Sequence, residues 1–276
     1  NVRCWNLVCI INNILLYNFN SNFIMELTKQ QIDQNYDRLR DLINTEFSTR
    51  KNELNKLYDE YGDKLKYLPA SPVEYYHNAF LGGYVDHILR VRDFALTECT
   101  RWKELGLLVE NFSAEELNFA AIHHDLGKCG IPGDYFPYQP NPSKWHVENR
   151  GELFVADSNQ PFFLVQDASL FILQYYGVKM SVQEFWAIRT HDGLYDKANE
   201  AYYMARSLNG KVKTNINQIL HNADMLAARF EFERWAKDNP QKFKFYSEGD
   251  NIVVPKKKEK TEKLTPEELE KILNSL

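Results

Sequence analysis

At 276 residues with 44% hydrophobic side chains, the chain is long enough to bury one sizeable core with appendages. A net charge of −5 and a pI near 5.9 exclude broad, sequence-independent nucleic-acid binding, which needs a basic surface, and make long polynucleotides poor partners. Four cysteines, at 4, 9, 99 and 129, show no Cys-x-x-Cys spacing and no regular framework, so zinc-finger and disulfide scaffolds are excluded and a reducing, cytoplasmic compartment is expected.

Residues 1–24 stand apart. They begin with Asn1, hold seven asparagines and break their apolar runs at Asn12 and Asn13, which fits neither a signal peptide nor a spanning helix of about 20 apolar residues. The first methionine is Met25, and the expectation is that residues 1–24 derive from an over-long reading frame and have no settled fold. Residues 25–68 read as a helical extension. Ile32, Tyr36, Leu39, Ile43 and Phe47, then Leu54, Leu57, Tyr61, Leu65 and Leu68, keep helical spacing on either side of a polar interruption at 48–52. Two helices, or one long bent helix stopping at Pro69, are expected. Such a face packs on the core more often than it serves a partner.

Residues 69–238 hold the chemistry. Ser71-Pro72 is expected to open a helix that leads through His77 to the paired Gly82-Gly83, where two backbones can approach closely. His87 then lies on a helix whose other face carries Ile88, Val91 and Ala95. Further on, Ser113 and Glu116 form a capping box with Phe112 stapled onto Leu117. Leu117, Ala120, Ala121 and His124 follow at i, i+3, i+4 and i+7, so the apolar stripe runs directly into His124-Asp125, and Gly127 and Gly130 end the helix. A neutral imidazole beside a carboxylate suits a divalent metal, and Lys128, one turn on, can face the same point and hold an anionic substrate. One buried His-Asp pair alone is more often just hydrogen-bonded. All seven histidines, however, lie between 77 and 221: positions 77, 87, 123, 124, 146, 191 and 221. His123 points about a third of a turn from His124 and reads as structural.

The stretch from Gly130 to Val165 holds five of the ten prolines, interleaved with Tyr135, Phe136, Tyr138 and Trp145. A long ordered loop beside a site is usually functional, so a lid is expected, with aromatics that stack on a base or anchor the loop. His146 falls in its polar part. Lys128, Lys144, Arg150 and Arg189 are candidate phosphate contacts, and His77 and His221 candidate substrate contacts. A capping box from Ser181 to Glu184 starts a helix that ends at His191, and Asp224 lies on a later helix. Within residues 239–276, a hairpin is expected over 242–254, then a charged linker and a helix begun by Leu264-Thr265-Pro266. Its stripe of Leu269, Ile272, Leu273 and Leu276 suits a docking peptide for a partner protein or a segment folded back on its own chain.

The pattern His77-x-Ala-x-x-Gly-Gly-x-x-x-His87-x-x-x-Val91, followed by His124-Asp125-Leu-Gly-Lys128 and later by Asp224, resembles the HD-domain superfamily of metal-dependent phosphohydrolases. The match covers roughly Pro69 to Trp235; Tyr84-Val85-Asp86 stands where related signatures carry Leu-Leu-Glu. The resemblance implies a predominantly α-helical bundle in which His87, His124, Asp125 and Asp224 bind one metal. Members with two metals show the order His, His-Asp, His, His, Asp, which this chain reproduces as His87, His124-Asp125, His146, His191, Asp224. The resemblance therefore favours two divalent ions, with manganese, iron, magnesium, nickel and zinc not distinguished. The implied reaction is hydrolysis of a phosphomonoester or phosphodiester in a nucleotide or related small metabolite, with Asp125 and Lys128 catalytic. Two alternatives share the ligand order: a di-iron oxygenase resembling inositol oxygenase, and a metal-bound adaptor without turnover.

Overall fold

Thr28 and Gln31 cap each other's backbone to start α1 (Lys29–Glu46). The computed structural model describes residues 27–133 and 138–245. After a turn at 47–50 the chain continues as α2 (Lys51–Lys66), interrupted at Gly62. An irregular segment then leads to α3 (Gly83–Glu104), α4 (Ala114–His123) and a 3-10 turn at Leu126–Cys129. Next come α5 (Lys144–Arg150), flanked by the two-residue strands β1 (Gln139–Pro140) and β2 (Phe154–Val155), which pair antiparallel with Gln139 opposite Val155. The chain then forms α6 (Val165–Tyr175), α7 (Val182–Thr190), the short α8 (Glu200–Tyr203) and the long α9 (Ile216–Asp238). The fold is predominantly α, as expected.

Helix α3 is the axis. It packs against α9 on one side and α4 on another, while α7 closes on both α4 and α9 and α6 covers the 3-10 turn. Its buried face, Tyr84, Val85, Ile88, Leu89, Val91 and Ala95, meets Leu117, Phe119, Ala120 and Ala121 of α4 and Ile216, Ile219, Leu220 and Ala223 of α9 in one core. Helices α1 and α2 join the same core through Leu39, Ile43, Phe47, Leu54, Leu57, Tyr58 and Leu65. Each such side chain, fully buried, contributes about 1.5–3 kcal/mol of transfer free energy. Residues 27–68 therefore pack on the core instead of standing off as a partner surface.

Two expectations are corrected. Residues 71–82 form no helix: the Ala70 amide donates to Asn78 O, and Asn78 itself turns at φ 41°. Helix α3 begins only at Gly83, where a Cβ would stand 2.1 Å from Asn78 O. The stretch from Gly130 to Val165 is not one loop, because Ser143 caps α5 within it and the β1–β2 pair brackets that helix. The expected leader at 1–24, the lid residues Tyr135 and Phe136, most of the 242–254 hairpin and the terminal helix lie outside the described residues. Among the described residues, no helix is long and apolar enough to cross a membrane.

Candidate metal centre

Four helices bring five side chains to one buried point. His87 comes from α3, His124 from the C-terminal cap of α4 with Asp125 next to it, His191 from the C-terminal cap of α7, and Asp224 from α9. The three imidazoles are 0–2% exposed and Asp125 4%. Their Nε2 atoms face the two carboxylates. His87 Nε2 lies 3.2 Å from Asp224 Oδ1 and 3.7 Å from Asp125 Oδ2. His124 Nε2 lies 3.5 Å from Asp125 Oδ2 and 3.8 Å from Asp224 Oδ1, and His191 Nε2 is 3.6 Å from Asp125 Oδ1. Overlapping sets of three of these groups bring their ligand atoms within 4.8 Å of one another.

The opposite ring nitrogens decide what those Nε2 atoms can do. His124 Nδ1 donates to Ala121 O and His191 Nδ1 to Ile188 O, both at 2.8 Å. His87 Nδ1 donates to the Glu231 carboxylate at 3.1 and 3.2 Å. Carbonyls and carboxylates only accept, so each Nδ1 carries the proton, and in a neutral ring Nε2 is left with a free lone pair. The Nε2 atoms of His87 and His124 are buried without a hydrogen-bond partner. His123 Nε2 is likewise unpartnered, so what sets the other two apart is the carboxylates they face.

The local chain path is fixed by close packing. Just past Asp125 the 3-10 turn runs against α6: the Gly127 amide donates to Ser169 Oγ, which in turn donates to His124 O. A Cβ on Gly127 would stand 2.1 Å from Val165 O, so only glycine allows the turn to lie flat on α6. Asp125 is thereby held facing inward next to His124.

The carboxylates and imidazoles of the cluster shift one another's ionisation. Burial alone would push the Asp125 and Asp224 carboxyls up, but Lys128 and the histidines hold Asp125 well below its ordinary range, and His87 and His124 do the same for Asp224. Burial pulls His87 and His191 down, yet the carboxylates override it and hold His87 up at about 10 and His191 at about 9. Two carboxylates among proton-holding imidazoles are groups from which a divalent cation displaces protons. The set of imidazole nitrogens and carboxylate oxygens, with two Nε2 atoms lacking partners, fits a borderline divalent metal, so these residues can hold a metal ion.

Lys128 reaches in from the 3-10 turn. Its Nζ stands 2.6 Å from Asp125 Oδ2 and 3.1 Å from His77 Nε2. Burial opposes its charge, but Asp125 raises it, so it remains an ammonium. His77 stacks loosely on His87, ring centroids 5.0 Å apart, and burial together with Lys128 pushes its pKa well below the ordinary value. A neutral His77 accepting from Lys128 is within reach of His87 and Asp125 and so borders the cluster directly.

Other sequence candidates are placed elsewhere. His146 is on α5, not in a loop; its side chain is 41% exposed and its Nδ1 sits 3.4 Å from Glu152, and it joins no ligand cluster among the described residues. Lys144 pairs with Glu148 and Arg150 with Glu152 on the same exposed surface. Arg189 is half-buried and taken up by Asp167, Asp196 and Asn199, where it fixes the turn after His191. His221 donates from Nδ1 to His191 O at 2.6 Å and backs the cluster from α9. Tyr138 packs on Phe154, while Trp145 is exposed. His123 is sealed among Phe119, Phe47 and Tyr58, as its structural role requires.

Two acidic residues were missed by sequence reasoning. Asp192 forms a second His-Asp pair with His191, 3.5 Å from its Nε2, at the partly open side of the cluster; the adjacency was visible in the sequence. Glu231 lies seven residues after Asp224 on α9, on the same helix face, a spacing also legible beforehand. Compared with family models, curated proteins and solved structures, the chain matches none.

Proposed function

We propose that this chain is a metal-dependent phosphohydrolase acting on a small phosphorylated metabolite, a nucleotide or its relative. The observation that carries the reading is the pair of buried, partnerless Nε2 atoms of His87 and His124 facing the Asp125 and Asp224 carboxylates beside the Lys128 ammonium. His87, His124, Asp125 and Asp224 would hold one divalent ion. The two-ion order loses His146, which stands with Glu152, and this favours a single ion. Several imidazoles among the ligands favour manganese, iron, nickel or zinc over magnesium. Such an ion supplies Lewis acidity, lowering the pKa of water toward about 7 and polarising a phosphate oxygen.

The remaining groups have roles of their own. Lys128, held between Asp125 and His77, is placed to take a phosphate oxygen and steady the charge that develops on it. His191, with Nε2 3.6 Å from Asp125 Oδ1 and 3.5 Å from Asp192 Oδ1, is placed to pass a proton to the leaving oxygen. The net charge of −5 and the burial of the cluster favour a small substrate over a long polynucleotide.

The test is metal content together with manganese-dependent hydrolysis of bis(p-nitrophenyl) phosphate and a panel of nucleotides. One equivalent of metal, with turnover lost in Asp125→Asn, is the expected result. A metal-free, inactive wild type would overturn the reading, and oxygen uptake with two irons would replace it by oxygenase chemistry.

A further inference from the structure

Among the three histidines of the cluster, His87 is held in a different way from the other two. His124 and His191 close helices, and each donates from Nδ1 to a carbonyl of its own last turn, three residues back. Those carbonyls are free because the last four of any α-helix have no helical partner. His87 sits in the first half of α3, where the carbonyls behind it are consumed by the helix itself. It must find its acceptor elsewhere, and it finds Glu231, whose side chain is completely buried.

Asp224 and Glu231 are two turns apart on α9, about 10.5 Å along its axis. The His87 ring fits between them, with Nε2 3.2 Å from Asp224 and Nδ1 3.1 Å from Glu231. Behind Glu231 the charges alternate. Arg90 pairs with Glu231 and, at 2.8 Å, with Asp86. Asp86 accepts from Asn78 at 2.9 Å and from Asn35 at 3.3 Å.

We propose that Glu231 is a positioning residue for the metal centre: it fixes the His87 ring, keeps its proton on Nδ1 and, through its negative charge, makes Nε2 a stronger ligand. This rests on the reading of the cluster as a metal site. A carboxylate behind a ligating imidazole is worth about 10- to 100-fold in metal affinity. Arg90 partly neutralises that charge, so it tempers the effect while supporting the geometry.

The alternative is that Glu231 serves only as the buried counter-ion of Arg90, and the two accounts differ in sign. In the full chain, manganese affinity is measured by competition with a chelator for wild type, Glu231→Gln and Arg90→Gln, with unfolding by urea in excess chelator as a separate measure of stability. Glu231→Gln keeps the shape and an acceptor for Nδ1 and should bind manganese about 10-fold or more weakly. Arg90→Gln should lose stability but bind manganese at least as tightly as wild type. Glu231→Ala should in addition release the ring, seen by nitrogen-15 NMR of the chelator-treated protein as loss of the Nδ1–H tautomer of His87. Unchanged affinity in Glu231→Gln, or equal losses in Glu231→Gln and Arg90→Gln, would overturn the proposal while leaving the metal site standing. A wild type that binds no manganese would overturn both.

Discussion

Arg50 offers the sharpest test of how the scaffold holds the centre. It lies in the turn between α1 and α2 and is 8% exposed. Its guanidinium donates to both Glu184 oxygens at 2.8 and 2.5 Å, to Lys179 O at 2.9 Å and to Glu115 at 3.2 Å, and it stacks 3.8 Å over the Phe119 ring. Phe119 belongs to α4, which delivers His124, and Glu184 to α7, which delivers His191. Arg50→Met strands a carboxylate that is 1% exposed, at a cost of about 3–5 kcal/mol. Glu184→Gln is milder: Arg50 keeps Glu115 and Lys179 O, and the amide still serves the capping box with Ser181, so about 1–2 kcal/mol is expected. The two changes should not add. With the stranded charge gone, Arg50→Met/Glu184→Gln should recover about 2 kcal/mol relative to Arg50→Met alone. Urea unfolding at pH 7 measures all four proteins, and a double variant less stable than Arg50→Met would refute the reasoning.

Other expectations follow from single contacts. His123 is buried neutral, its pKa pushed from 6.5 to about 3 by burial; its contribution is complete above 6.5 and lost as pH falls toward 3. Between pH 7 and pH 5 the wild type should therefore lose about 2 kcal/mol more than His123→Phe in urea unfolding, at about 1.4 kcal/mol per unit. Gly83→Ala puts a methyl 2.1 Å from Asn78 O and should cost about 1–3 kcal/mol or more by the same assay, together with weaker metal binding because Asn78 holds Asp86. His146→Ala should change stability by no more than about 0.5 kcal/mol and leave metal content unaltered, whereas His124→Ala should abolish metal uptake.

What the sequence made legible was local or strictly spaced. The capping boxes at Ser113 and Ser181 form as read, because their partners lie three residues away and need nothing from the rest of the chain. His87, His124, Asp125 and Asp224 converge, as the HD resemblance implied. Where the outcome turned on a distant contact, reading failed. Arg189 looked free for phosphate until Asp167 and Asp196 were folded against it. His146 fitted an order of residue types, but a seven-residue helix carries too little apolar pattern to say which way it faces. Ser71-Pro72 resembled a helix start, yet the Asn78 carbonyl is spent on Ala70 and Asn78 turns left-handed, a choice set by the packing of Gly83 beneath it.

The placement of the ligands follows from where helices leave donors and acceptors unspent. A histidine at a helix C-terminus obtains a fixed tautomer at little cost, since a free carbonyl lies one turn behind it, and α4 and α7 both end this way at the cluster. The carbonyl of His191 itself is free for the same reason, and His221 of α9 donates to it, joining the two helices that carry His191 and Asp224. A ligand in the body of a helix has no such carbonyl, and its tautomer has to be set by another element. In this chain α9 meets that requirement with Glu231 on the same face as Asp224, so the packing of α3 against α9 both assembles the cluster and determines which nitrogen of His87 is presented to it.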